Sequence, residues 1–200
     1  AVCEVQDPAS LILDTAAKAN ADLVVMGTRN LSQLAEMFIG SVSNRVLKHA
    51  AMPTLIVKGT ARPVTRVLVA IQESYDALRL QTWLTAHPFK NPVSLTILSA
   101  IPSTLVTSEH AMVVPESPED RKRQTQQLLD DTSQALAGPQ FTVSASVAVG
   151  DPAQTICEAG KNHDLIVVSS HGRKGLSRFL MGSVSEAVVH RAGSSVLVVR

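Results

Sequence analysis

The chain has 200 residues, 45% of them apolar but only 3% aromatic, and a formal net charge of +1. Its core must therefore be aliphatic, built from Val, Leu, Ile and Ala, as in parallel α/β sheets covered on both faces. Charges this evenly balanced, with no basic stripe, exclude a dedicated nucleic-acid surface, and no apolar run approaches the roughly 18 residues that a membrane span requires.

In chain order the elements repeat themselves. The opening residues read as a strand. Asp7-Pro8 then opens an apolar-periodic run, the signature of an Asp N-cap followed by Pro in the first helical turn. Leu23-Val-Val-Met26 is short and continuously apolar, as buried parallel strands are. A loop leads to Gly40-Ser41-Val42-Ser43, a second helix and the apolar run Thr54–Val57. Residues 59–63 read as a linker. Arg66–Ile71 reads as a strand, and 74–86 as a helix with Leu78, Leu80, Trp83 and Leu84 on or near one face. Val93–Leu98 is the next strand, 101–117 a proline-bearing loop, 119–137 a charged amphipathic helix and Phe141–Val149 an alternating strand. The opening pattern then returns: Asp151 matches Asp7, Asp164 matches Asp22, Leu165–Val168 is again continuously apolar, and Gly182-Ser183-Val184-Ser185 matches Gly40–Ser43 before the final run Val196–Val199.

Residues 64–200 thus hold five strands alternating with four helices, which implies right-handed crossovers and a parallel sheet. Residues 1–58 hold only the last three strands of such a unit, leaving a sheet face and an edge uncovered. The expectation is that the protein begins upstream of Ala1, with completion by another chain as the alternative. Cys3 and Cys157 are too far apart in sequence for a metal signature. They read as small apolar packing residues in a reducing cytosol.

The chemistry concentrates in one loop of each repeat. In the second, a strand ends in Ser169-Ser-His-Gly172, nine residues follow, and Gly182-Ser183 opens a helix; in the first, Gly27-Thr-Arg-Asn30 precedes Gly40-Ser41 by the same nine. A loop at the carboxyl edge of a parallel sheet is where ligands bind. A helix N-terminus beside it presents unpaired N–H groups to an anion, and the hydroxyls of Ser183 and Ser185 add donors. His171 reads as a solvated loop histidine, and Arg173, Lys174 and Arg178 read equally as steering charges or a solvated face. His49, His87, His110, His163 and His190 show no metal-ligand spacing. There is no nucleophile elbow, P-loop lysine or paired catalytic carboxylate, so the chain reads as a binding module rather than an enzyme.

These motifs resemble the universal stress protein family, whose nucleotide-binding members carry Gly-x2-Gly-x9-Gly-(Ser/Thr) before the last helix. The strand Val67-Leu-Val-Ala-Ile71, the turn Gly150-Asp-Pro-Ala153 and the closing Val196–Val199 also fit. The resemblance covers 64–200 as a complete unit and 1–58 as the C-terminal part of another. It implies a Rossmann-like doubly wound α/β sheet of order 3-2-1-4-5 in tandem units. It also implies ATP as ligand with Mg2+ accompanying it, and pairing of the last strands in an intramolecular pseudo-dimer or a homodimer. Carried over by position, the phosphate loop falls on Ser169, Gly172, Gly182, Ser183, Val184 and Ser185, and the adenine and ribose wall on Ala70, Gln72, Ala100 and Val168. In the first repeat the loop falls on Gly27, Asn30, Gly40, Ser41, Val42 and Ser43. The chain departs from the pattern at three points: Ser169 replaces the first glycine, Asn30 the second glycine of the first repeat, and Gln72 the acidic residue after the unit's first strand. The expectation is a cytoplasmic stress-response module binding an adenine nucleotide. A nucleotide-free interaction scaffold, or a slow ATPase or autophosphorylating protein with Ser183 or Ser185 as acceptor, are the alternatives.

Overall fold

The computed structural model describes residues 7–28, 39–60, 62–86, 89–102, 117–170 and 181–200. The elements run α1 (Pro8–Lys18), β1 (Val24–Gly27), α2 (Ser41–His49), β2 (Thr54–Val57), β3 (Arg66–Ala70), α3 (Ser74–Ala86), β4 (Val93–Ile101), α4 (Pro118–Leu136), β5 (Phe141–Val149), α5 (Pro152–Gly160), β6 (Leu165–Ser169), α6 (Ser183–Arg191) and β7 (Ser195–Val199). Local chemistry explains where the helices start. Asp7, Ser117 and Asp151 each accept a backbone N–H with their side chains, and each is followed by Pro in the first turn.

One sheet of seven strands has the order β1-β2-β7-β6-β3-β4-β5. Residues 64–200 contribute β5-β4-β3-β6-β7, all parallel, which is the expected 3-2-1-4-5 order. β1 and β2 are parallel to each other, and β2 joins β7 antiparallel with Thr54 opposite Val198 and Ile56 opposite Val196. The core is layered on the two faces of the sheet. One face packs Val67, Val69, Leu95 and Leu197 with Leu80, Leu84 and Leu129 of α3 and α4. The other packs Leu68, Ile166, Val196 and Val198 with Ile156, Val188 and Val189 of α5 and α6, and includes Leu47 and Ile56 from before the linker. β6 lies inside the sheet and is buried throughout, as its continuous apolar run requires.

Three expectations are corrected. Leu78 is 64% exposed, and Ala77 joins Leu80 and Leu84 in the core instead; at about 100° per residue, 77, 80 and 84 share a face that 78 does not. Val25 in the middle of β1 is 57% exposed: this strand is not buried throughout, because among the described residues it lies at the end of the sheet and only one of its faces is covered. β4 runs on past Leu98 to Ile101, since Ser99, Ala100 and Ile101 find register partners in Val147, Ala148 and Val149.

Candidate functional site

β3 and β6 are neighbours in the sheet, but the chain leaves them in opposite directions, β3 through α3 toward β4 and β6 toward β7. Such a reversal opens a crevice outside the carboxyl ends of the strands. A cleft of about 350 Å3 lies there, at the lower end of the range for ligand pockets. Ala70 and Gln72 from the end of β3, Ala100 from β4, Val168 and Ser169 from β6, and Gly182, Ser183, Val184 and Ser185 from the start of α6 all line it. Every described residue of the set expected in the second repeat is therefore brought to one place. Gly172 lies outside the described residues, as do Asn30, His171, Arg173, Lys174 and Arg178.

Two helices begin differently from the capped ones. Gly182 and Gly40 are the N-caps of α6 and α2, and neither start has a side-chain cap hydrogen bond. The Gly182 N–H donates to the Ser170 carbonyl at 2.7 Å, fixing the entry of α6 onto the end of β6. Gly182 has an ordinary extended conformation with φ −65°. Among the described residues, a Cβ built on it would come no closer than 3.4 Å, to the Ser170 carbonyl oxygen. Neither its backbone conformation nor its described neighbours demand glycine there.

Ser185 does not offer its hydroxyl to a ligand as expected: it is buried and donates to the Ser169 carbonyl at 2.7 Å. The first repeat makes the same tie, Ser43 to the Gly27 carbonyl at 3.4 Å, so these serines fasten a helix start to a strand end. Ser183 is exposed. Gly27, Gly40, Ser41, Val42 and Ser43 gather where β1 ends and α2 begins.

Sequence reasoning missed Asp76. It is buried, lines the cleft, and its Oδ2 accepts from the Glu73 N–H at 3.3 Å. The Glu73 carbonyl in turn accepts from Ala77 N–H, which makes Asp76 the returning half of a capping box on α3. Burial pushes its carboxyl pKa up, against the pull of the Ser169 hydroxyl and the Glu73 and Gln72 amides. Its Oδ1 is buried and has no hydrogen-bond partner among the described residues. The signal available was the acid three residues after Glu73. Ile71, Leu98, Pro152, Ile156 and Met181 complete an apolar lining. A second cavity of about 760 Å3 lies near the starts of β6 and β7, lined by Leu55, Trp83, Phe89 and Leu197.

The sequence profile of the universal stress protein family matches residues 1–58 and 63–200. The chain belongs to the universal stress protein family. Among relatives, a universal stress protein of Mycolicibacterium smegmatis is 29% identical over 195 residues, covering 92% of this chain and 63% of its own length. Universal stress protein Rv2005c of Mycobacterium tuberculosis is 29% identical over 202 residues, covering 90% and 62%. The chain thus spans less than two thirds of these relatives. Among solved structures, a universal stress protein from Archaeoglobus fulgidus superposes with a TM-score of 0.60 at 23% identity, over 97% of this chain and 65% of that one. A Pseudomonas aeruginosa structure reaches 0.70 at 19% identity, over 98% and 69%.

Proposed function

We propose that this universal stress protein is a stress-response module that holds an adenine nucleotide in the cleft between β3 and β6, and that its chain divides into units 1–58 and 64–200 joined by 59–63. The observation that carries the reading is the meeting of the family's nucleotide positions at the carboxyl edge where the strand order reverses. The uncapped first turn of α6 supplies main-chain donors for phosphate, and the unneeded glycine at 182 leaves room for close approach. Ala70, Ala100 and Val168 form the apolar wall for adenine. Gln72 brings no charge to the ribose side, but the Oδ1 of Asp76, unpaired among the described residues, supplies an acceptor in the same cleft. Among the described residues no group of three or more His, Cys, Asp or Glu gathers to hold a metal, so Mg2+ would arrive on the nucleotide's phosphates. Ser185 as a phosphate acceptor would require breaking its bond to the Ser169 carbonyl.

Calorimetric titration of the full chain with ATP and AMP tests this, together with anion-exchange analysis of the supernatant after heat denaturation. Saturable binding weakened at least tenfold by Asp76→Asn is expected, because Asn keeps an oxygen for the α3 cap but loses the charge. Absence of both co-purified nucleotide and measurable heat would leave the scaffold reading.

A further inference from the structure

The cavity near the starts of β6 and β7 has a volume of about 760 Å3, against about 350 Å3 for the cleft, and the described linings of the two share no residue. Its floor is a row of leucines at matching places in the two repeats. Leu23 before β1, Leu55 of β2, Leu197 of β7 and Leu165 of β6 belong to strands that are neighbours in that order. Leu55 and Leu197 stand opposite each other across the antiparallel pair. Trp83 of α3 and Phe89 beyond it form a wall, and Phe89 meets Phe141 edge-on with ring centres 6.5 Å apart. The room has a structural cause. α3 packs over β6 and β7. The described helices of the first repeat, α1 and α2, pack against Val24, on the opposite face of the sheet from Leu23. Beside α3 the sheet is therefore left with a step the height of a helix.

At one end the lining turns polar, and what it has to spare is donors. Arg62 gives Nη2 to the His163 carbonyl at 3.3 Å and Nε to Asp164 Oδ1 at 3.3 Å, which leaves Nη1 with no hydrogen bond to a described residue. The Ser195 hydroxyl accepts from the Lys58 N–H at 3.1 Å and keeps its own proton to give. The acceptors are already used. Asp164 is met by Thr65, Arg66 and Arg62, and Ser194 is committed to the Gly160 and His163 carbonyls at 2.8 and 2.9 Å. We propose that this cavity binds a small amphipathic carboxylate, its apolar body on the leucine row and its head group accepting from Arg62 and Ser195. The volume lies within the range of ligand pockets, and apolar walls with a few converging polar groups are their usual make-up. Apolar burial supplies the adhesion, and charge-assisted hydrogen bonds choose the head. A cationic head would bring donors to donors. Because the leucine row comes from both repeats, a bound acid would also tie residues 1–58 to 64–200.

The test is titration of the full chain with dodecanoate, dodecanol and dodecylammonium below their micelle concentrations. Binding is read by the fluorescence of Trp83, the chain's one tryptophan, and by leucine and valine methyl NMR. Dodecanoate should saturate, shifting the methyls of Leu55, Val57 and Leu197 in the cavity and leaving those of Val168 and Val184 in the cleft unmoved. Dodecanol should bind at least fivefold more weakly, and dodecylammonium more weakly still. Arg62→Gln should weaken dodecanoate at least fivefold while dodecanol stays within twofold. The Arg62 side chain is 57% exposed, so its ion pair adds little to the fold. Failure to saturate, equal affinity for the three head groups, or shifts centred on Val168 and Val184 overturns the proposal. So does an Arg62→Gln chain that keeps its preference for the carboxylate. The head-group comparison and the methyl shifts use the parent chain and decide even if the variant does not fold.

Discussion

Asp164 holds the start of β3 against β6 with one carboxylate. Its Oδ2 accepts from the Thr65 N–H at 3.0 Å, the Thr65 hydroxyl at 2.8 Å and the Arg66 N–H at 2.9 Å. Arg62 meets Oδ1 at 3.3 Å. Burial acts to raise its pKa, but the Thr65 and Arg66 amides, the Thr65 hydroxyl and Arg62 together outweigh it and bring it down to about 2. A carboxylate whose folded pKa lies below its unfolded value stabilises fully above the unfolded value, here 3.8, and that stabilisation is lost as pH falls toward about 2. Asp164→Asn should lower stability by about 2 kcal/mol at pH 7, since it puts an amide donor among donors. Urea unfolding at pH 7 and at pH 2 checks this, with the gap between parent and variant shrinking in acid. The sequence shows Asp22 and Asp164 as repeat partners but not this role. Asp22 is exposed, because a carboxylate becomes a clamp only where a neighbouring strand brings N–H groups to it, and the β1 edge has no such strand among the described residues.

The helices divide by how they begin, and the division separates stability from binding. Asp7, Ser117 and Asp151 close their helices with their own side chains, while α2 and α6 start from glycine with open first turns. Gly182→Asp tests this division. The backbone at 182 suits any residue, and an Asp N-cap should be neutral or stabilising by a few tenths of a kcal/mol relative to Gly. The same carboxylate would occupy the first-turn donors and repel phosphate, so nucleotide affinity should fall at least tenfold while the melting temperature holds or rises. Equal affinity in variant and parent would mean that α6 does not face the ligand. These helix starts were legible because capping is local chemistry: Asp-Pro and Gly-Ser announce themselves within four residues. The Ser185 tie to Ser169 was not, since it joins residues from two elements that only the fold brings together. The exposed side of α3 was misread at Leu78 for a related reason: four apolar residues in seven offer more than one face, and the sheet selects between them.

For the molecule as a whole, the question is whether one sheet makes one folding unit. The strand order within 64–200 was legible, since alternating strands and helices allow few right-handed arrangements. The β2–β7 register was not, because short continuously apolar runs carry no alternation to fix it; Lys58, donating to the Val189 and Ala192 carbonyls, and Arg200, donating to the Leu47 carbonyl, lock the ends of these strands to the opposite helices. The core supports a single unit: Leu47 and Ile56, before the linker, pack in the same buried cluster as Leu68, Ile166, Val196 and Val198 after it. Removing either side would expose apolar surface of the other, so residues 1–58 should not unfold ahead of the rest. The one tryptophan, Trp83, packs against the opposite-face cluster that Leu23 and Leu55 also touch. Its fluorescence and far-ultraviolet circular dichroism should therefore trace one coincident transition in urea. An early dichroism step carrying the helical signal of α1 and α2, with Trp83 unmoved, would show that the shared sheet joins two bodies of separate stability.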